Sequence, residues 1–482
     1  MAATSQSAAD SPQVQPPVAY DKGTPLSAIL PPLIFGTATF NHQYNDDPYA
    51  LDTTGLVSDA LTHGIRAFDT SPYYGPSETL LGAALDTPFV RTTFPRSSYF
   101  ILTKVGRIAE AHFDYSPAWV AQSITRSLAR LHTTYLDVVY CHDVEFVTPA
   151  AVLGAVRELR RQRDELGTVR YVGISGYPLD VLGALAELVL RETGEPLDAV
   201  MSYANFTLQN EGLAGPRGVQ RLREAGVDVV PNASPLGMGL LRRQGVPVGA
   251  LGDFHPASRA LRLAVRQASD FCDAHGEKLE VIAIRYALET WLAVGASVGS
   301  RGDPASGVPW QQESNEAVGG TKLGVSVIGV SRAPELEKTM LVWRSILDGL
   351  EGGRETAIRA GRWSRAYEWA QNRKRAVQIL SEGVQEVLGE WVGYTWESPP
   401  EEKGSKGEKE KEVQGRLEGK RIADIKVNEV EAPWPTPDAS PEPEIWHHDA
   451  FHSWNYNWFV HTNAIPTLQT SPSSDLSVSL RP

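Results

Sequence analysis

The sequence predicts a (β/α)8 barrel, and three observations carry the prediction. Eight short β-rich runs recur along the chain, separated by stretches with helical periodicity. The runs are nearly continuous in Val, Ile and Leu rather than alternating, which marks strands of a parallel sheet buried on both faces. Eight such units close most economically into a barrel, whose reactive side chains gather at the C-terminal ends of the strands.

The first 28 residues, rich in Ser, Ala, Gln and Pro, carry too little apolar surface to offset the entropy of ordering, so they read as a flexible arm. The barrel is expected over 29–400. Its strands read as PLIFGT near residue 34, IRAFDT at 65–70, YFILTK at 99–104, LDVVYCH at 136–142, VRYVGIS at 169–175, LDAVMSY at 197–203, VDVVPNA at 227–233 and GVSVIGV at 324–330. Two of the connecting helices are explicit. In SPAWVAQSITRSLARLH, Ser116 suits the cap, Pro117 the first turn, and Val120, Ile124, Leu128 and Leu131 recur at helical spacing. AVLGAVRELRRQRDELG ends at Gly167. Residues 294–323, rich in Gly, Ser and Pro, read as a solvated insertion before the eighth strand. Beyond residue 400 the mixed charges read as a largely disordered tail over 401–482. Trp434, Trp446, Trp454 and Trp458 suggest that this tail docks on a protein partner of unknown identity.

Composition excludes several classes of function. The chain has 482 residues, 42% hydrophobic and 21% charged, with a net charge of −13. That balance fits a soluble globular protein and not a nucleic-acid binder, which needs a clustered positive face. No apolar run reaches the roughly 18 residues of a membrane span. Only two cysteines, Cys141 and Cys272, are present, so no disulfide framework is expected and a reducing compartment is. MAATSQSAADSPQVQPP lacks the basic leader and apolar core of a secretory signal. We therefore place the chain in the cytoplasm. His447, His448 and His452 lack a third fixed ligand, so no metal site is assigned. Trp363, Trp369 and Trp391 are read as packing residues.

Several strand ends carry polar residues that a buried strand would not choose. GIRAFDTSPYYGPSETLLG, residues 64–82, puts Asp69 at the end of the second strand and Tyr74 in the following loop. Lys104 ends the third strand and His142 the fourth. Each alone has an ordinary structural explanation, as a cap, a solvated ammonium or a packing histidine. Together, at one mouth, they form a proton-transfer site. A phenol titrates near about 10, and an adjacent ammonium favours the phenolate. Asp69 is expected to hold Lys104 against Tyr74, and neutral His142 to orient the substrate oxygen. Such a site exchanges a proton with a carbonyl or hydroxyl oxygen, and the two electrons must come from a cofactor.

The order of these motifs resembles the aldo-keto reductases over roughly residues 29–400, most strongly in GIRAFDTSPYYGPSETLLG. The resemblance implies a barrel that binds a nicotinamide cofactor across its mouth without a Rossmann domain. It implies Tyr74 as general acid/base, Lys104 and Asp69 as the pair that tunes it, and His142 as the substrate-orienting residue. It places Gly36 and Thr37 near the nicotinamide and Ser175 on its carboxamide, with Gly176 where the family usually has Asn and Tyr203 where a Gln is common. Asp69 counts with the cofactor contacts as well. Ser234 and Leu236 match the pyrophosphate loop, although Ala233 stands where a stacking aromatic is frequent. At the adenosine end the matching positions are Val330, Arg332 and Glu335. A carboxylate repels a 2′-phosphate and accepts from a free ribose hydroxyl, so Glu335 favours NAD, while Arg332 leaves NADP open.

GISGYPL with NASPLGMGLL resembles the branch of D-arabinose and L-galactose dehydrogenases. That resemblance implies oxidation of an aldose at its anomeric carbon to the lactone. Two other readings stay open: an NADPH-dependent reductase of aldehydes or ketones, and a non-catalytic cofactor-sensing subunit. Trp396 matches a terminal segment that lines the substrate mouth in some members.

Overall fold

The computed structural model describes residues 23–246, 255–301, 322–350 and 363–396. Most of the expected insertion at 294–323, the tail at 401–482 and the first 22 residues lie outside these, as do the tail's His and Trp residues.

Eight parallel strands close on themselves in sequence order. They are β1 (Leu33–Gly36), β2 (Ala67–Asp69), β3 (Phe100–Val105), β4 (Leu136–His142), β5 (Val169–Gly176), β6 (Ala199–Tyr203), β7 (Asn232–Ala233) and β8 (Ser326–Gly329). Six fall within the runs read from the sequence, β3 and β5 extend one residue past theirs to Val105 and Gly176, and the barrel is the fold that was expected. The strand β7 is shorter than its run, because Pro231 lacks the N–H that would extend the ladder. The backbone there still accepts from Ser202 N through Pro231 O at 3.2 Å. The helix Pro117–Arg130 starts as expected, with Ser116 Oγ accepting from Trp119 N. The helix Pro149–Arg161 continues through a wider turn, Gln162–Leu166, and stops at Gly167, where φ is 67°. One feature of the β3–β4 connection is absent from the expectation: a short hairpin pairs Arg107–Ala109 with His112–Phe113.

Side chains divide by strand parity. Ile34, Ala67, Leu102, Val138, Tyr140, Tyr171 and Met201 fill the barrel interior, while Phe35, Phe68, Val139, Val172 and Ile174 pack outward against the helices. Leu26 and Leu30 belong to the interior cluster and are fully buried. Ordered chain therefore begins before Ile29: the turn Leu26–Ala28 sits under the strand N-termini, held by Ser27 N donating to Asp228 Oδ2 at 2.8 Å and Tyr171 Oη donating to Thr24 O at 2.8 Å. Truncating Leu26 to Ala leaves a cavity at this floor, and we expect a loss of about 2–5 kcal/mol in urea denaturation with the mouth chemistry intact.

A third cluster joins the helices Arg259–Ala274 and Leu279–Val294 to Trp363–Leu388, through Leu261, Val265, Cys272, Val377, Val384 and Leu388. Trp391 packs against it, partly buried. The segment after Leu388 then returns toward the strand C-termini. Gln209 anchors it, donating from Nε2 to Trp391 O at 2.6 Å and to Tyr394 O at 2.9 Å, and accepting from Gly393 N at 2.7 Å. Trp396 ends this return buried, stacked on Tyr177 with ring centroids 5.0 Å apart. Among the described residues no helix is long and apolar enough to cross a membrane.

Candidate active site

The parallel register sets neighbouring strand ends side by side. Gly36 pairs with Asp69, Lys104 with Tyr140, and His142 with Ser175. The residues singled out in the sequence therefore form one continuous rim, with Asp69, Lys104 and His142 on the β2–β4 arc and the remainder on the β5–β8 and β1 arc.

Lys104 Nζ is fully buried and donates to Asp69 Oδ1 at 2.9 Å, Asp69 Oδ2 at 2.7 Å and Thr70 O at 2.9 Å. Those three acceptors use its three protons. The ammonium also lies 4.8 Å from the centre of the Tyr74 ring, over its face. Burial, and then the Asp69 and Asp143 carboxylates, push the Tyr74 phenol well above its ordinary value. This is opposite in direction to the lowering expected from Lys104. The first physical reason is burial of the phenol; Asp69 adds to it, and the ammonium it pairs with lies over the ring. In this state Tyr74 is a phenol with a proton to give.

His142 stands edge-on to Tyr74, with centroids 5.6 Å apart, and its Nδ1 shares a 3.1 Å hydrogen bond with Ser71 Oγ. Burial, together with the Lys104 and Arg107 charges, holds the imidazole well below its usual range, so it is neutral at physiological pH. That agrees with the neutral histidine expected.

Sequence reasoning missed the groups that frame this cluster. Arg107 from the hairpin pairs with Asp143 and lays its guanidinium 4.0 Å over the Tyr73 ring. Asp143 has a left-handed backbone, φ 56°, which turns its carboxylate back to within 3.6 Å of His142 Nε2. The only sequence signal was adjacency: Asp143 follows His142, and Arg107 follows the third strand by two residues.

On the other arc, Gly36 is closely packed against β8, where a Cβ would meet Val327 Cγ1 at 3.1 Å. The Thr37 hydroxyl is turned inward, donating to Asp69 O at 3.0 Å and lying 2.6 Å from Ser77 Oγ, so it braces the β1–β2 seam. Ser175 is buried, with Oγ only loosely held by Cys141 O at 3.4 Å. Tyr203 lies 5.5 Å from Tyr177. Its phenol is pushed well up by burial and then by Asp143 and Glu145. After β7, Ser234, Gly237, Met238 and Gly239 all have positive φ. Such left-handed turns arrange backbone N–H groups into a concavity suited to an anion. Leu236 is partly buried in the neighbouring cluster.

At the β8 end, Val330 is buried and its carbonyl accepts from Thr39 Oγ1 at 2.7 Å. Glu335 is not free: its Oε2 accepts from Ser331 N at 2.8 Å as a cap of the helix Ala333–Asp348. Arg332 instead lines a cavity of about 490 Å³ whose walls include Asp46, Asp47, Asp52 and Asp59. The acidic character expected of Glu335 is thus supplied there by the loop and helix that follow β1.

Two observations test whether this rim fits a bound cofactor. Glu145 Oε2 is buried with no partner, beside the mouth. Gly176, next to Ser175, has no side chain, and a Cβ there would collide with that same oxygen. An unsatisfied polar atom beside a strand end that carries no side chain fits a polar ligand laid across the mouth. Among the described residues no group of His, Cys, Asp and Glu could hold a metal ion.

Comparison with known proteins agrees with this architecture. The sequence model described as Aldo/keto reductase family matches residues 32–348. D-arabinose 1-dehydrogenase of Saccharomyces cerevisiae is 45% identical over 273 residues, covering 56% of this chain and 79% of that protein. L-galactose dehydrogenase of Arabidopsis thaliana is 36% identical over 239 residues, covering 49% and 70%. D-threo-aldose 1-dehydrogenase of a Pseudomonas species is 27% identical over 305 residues, covering 56% and 85%. The first two of these relatives match the branch inferred from GISGYPL and NASPLGMGLL. With the closed barrel, the strand-end cluster and a family match over most of the barrel, the chain belongs to the aldo/keto reductase family of oxidoreductases.

Proposed function

We propose that this protein oxidises an aldose at the anomeric carbon to the lactone, with NAD as the electron acceptor. The observation that carries the reading is the buried Asp69–Lys104 pair under Tyr74, whose ring packs edge to face with a neutral His142. Three relatives named as aldose or sugar dehydrogenases support the substrate class.

A nicotinamide, when bound, supplies a ring carbon that accepts hydride. This chain's residues do the rest. His142 Nε2 orients the anomeric oxygen, because Nδ1 is already engaged with Ser71. Tyr74 Oη, in its phenolate form, takes the hydroxyl proton as the C–H bond yields its electron pair as hydride and the C–O bond becomes a carbonyl. The proton ends on the phenol, and Lys104 with Asp69 keeps the ring placed. Gly36 and Thr37 would lie near the nicotinamide at the β1 end. Ser175 and Tyr203 face it from β5 and β6, and the turn from Ser234 to Leu236 receives the pyrophosphate. Val330 and Arg332 flank the adenosine end, where the carboxylates around the cavity disfavour a 2′-phosphate and so favour NAD.

Incubation with NAD and D-arabinose or L-galactose is the test, read as absorbance of reduced nicotinamide. Failure to oxidise any aldose with either nicotinamide would sink the reading. The raised Tyr74 value adds a pH signature. Oxidation needs the phenolate, which is scarce below its titration point and grows as protons are withdrawn. We expect log kcat/KM for oxidation to rise by about one unit per pH unit between about pH 7 and 9. No inflection from His142 is expected there, since the imidazole stays neutral.

One observation favours a second reading. A protonated Tyr74 is a proton donor, and Arg332 at the cavity suits a phosphate, as a carbonyl reductase using NADPH requires. Thermal shifts with NAD and NADP separate the two, and Arg332→Ala weakens NADP alone if the phosphate sits there. We place the enzyme in the cytoplasm, on the basis of its two buried thiols.

A further inference from the structure

Glu145 lies in the turn Val144–Phe146 that follows β4. Its Oε1 accepts from Tyr177 N at 3.0 Å, which fixes the carboxyl across the end of β5. Its Oε2 is buried and has no partner. Leaving a buried acceptor or donor unmade costs on the order of 1–3 kcal/mol, so an orphan at a site edge calls for a ligand atom. The space that admits this oxygen exists because residue 176 is glycine: a Cβ there would overlap Oε2 and come within 3.4 Å of Leu182 Cδ2. The side chain of residue 145 thus stands where the side chain of residue 176 would otherwise begin.

The position along the rim narrows what the missing atom belongs to. The proton-handling residues end at His142 on β4, and the other arc begins at Ser175 on β5, which pairs with His142. Glu145 sits at that seam. Hydride transfer from a substrate held at His142 to a nicotinamide held by the other arc would bring the ring to this seam, and its carboxamide is attached to the carbon next to the reacting one. The charged and titratable groups around Glu145 are Asp143 from its own turn, Arg107 from the hairpin, Tyr115 before the helix Pro117–Arg130, and Tyr203 from β6. Burial, and then Asp143, push the Glu145 carboxyl up to about 8, against the pull of Arg107. A neutral carboxyl carries one donor and one acceptor, and the edge of a primary amide offers the same pair.

We propose that Glu145, in the space left by Gly176, holds the carboxamide of the bound nicotinamide together with Ser175, as a positioning residue for hydride transfer. The assignment rests on the nicotinamide reading above. Its specificity for the amide is what the test isolates.

Binding to the full-length protein is followed by quenching of tryptophan fluorescence, without turnover. The probes are whichever of NAD and NADP binds and the same molecule without its nicotinamide, ADP-ribose or its 2′-phosphate. In Glu145→Ala the nicotinamide-bearing probe weakens about tenfold, the scale of one lost hydrogen bond, and the truncated probe stays unchanged. Glu145→Gln, which keeps a donor and an acceptor, retains the preference. Gly176→Ala displaces the carboxyl and loses the preference as Glu145→Ala does, so the proposal stays testable if the alanine variant at 145 fails to fold. Equal weakening of both probes would assign Glu145 a structural role, and unchanged binding with a raised sugar KM would assign it to the substrate; either overturns the proposal. Wild-type protein that binds none of these probes overturns the nicotinamide reading itself. That outcome is distinct from one in which both probes bind equally well in wild type and in Glu145→Ala.

Discussion

Tyr74→Phe lowers kcat for aldose oxidation by about three to four orders of magnitude while leaving cofactor affinity and the thermal midpoint near wild type. The substitution deletes one oxygen and nothing else. The ring's place between Lys104 and His142 persists, since its contacts are a cation over the face and an edge-to-face packing. What is lost is the acceptor for the anomeric proton, and a positioned acid/base contributes about 10² to 10⁴ in rate. Residual turnover in the variant should also lose the rise with pH, because the titrating group is gone. Single-turnover kinetics with excess enzyme checks this without interference from product release. Turnover within tenfold of wild type, or a surviving pH slope, would move the proton-transfer role away from Tyr74.

The strand-end cluster was legible because it obeys local rules. A buried strand has no use for Asp69, Lys104 or His142 unless the barrel mouth lies at its end, and period and composition place that end to within a residue or two. The frame around the cluster was not legible, because it is made by pairings distant in sequence. Arg107 reaches Asp143 across 36 residues, and Gln209 fastens Trp391 across 182. The direction of the Tyr74 shift belongs to the same class. A lysine one strand away suggests a lowered phenol, whereas burial of the ring, and then the Asp69 and Asp143 carboxylates, raise it. Glu335 is instructive for the opposite reason. It reads as a ribose ligand by position, yet a carboxylate three residues past an N-cap commonly closes back on a free N–H, as it does here on Ser331. Leu26 was missed because composition averaged over the first 28 residues conceals the one leucine among them that the barrel floor needs.

The Asp69–Lys104 pair gives the second large effect and separates scaffold from chemistry. Both groups are buried, within 2.7 Å, and each satisfies the other. Asp69→Asn leaves an ammonium without a counter-charge, and a broken buried pair costs about 3–5 kcal/mol. Lys104→Met leaves the carboxylate instead, which has an escape that the ammonium lacks in acid: it takes up a proton. In that variant the folded state holds Asp69 protonated to a higher pH than the unfolded chain, whose value is about 3.9. Its deficit against wild type is therefore smallest near pH 4 and widens as pH rises through the folded value. The double variant Asp69→Asn/Lys104→Met removes both charges and should recover most of the stability, so its cost falls well short of the sum of the singles. Turnover should not recover with it. The cation over the Tyr74 ring is then gone, leaving only the packing on His142 to place it, and kcat stays lower by about 10² or more in all three. Urea midpoints read alongside single-turnover rates decide the matter. A double variant with restored stability and wild-type turnover would reduce the pair to a structural brace and leave Tyr74 and His142 as the whole of the proton-transfer site.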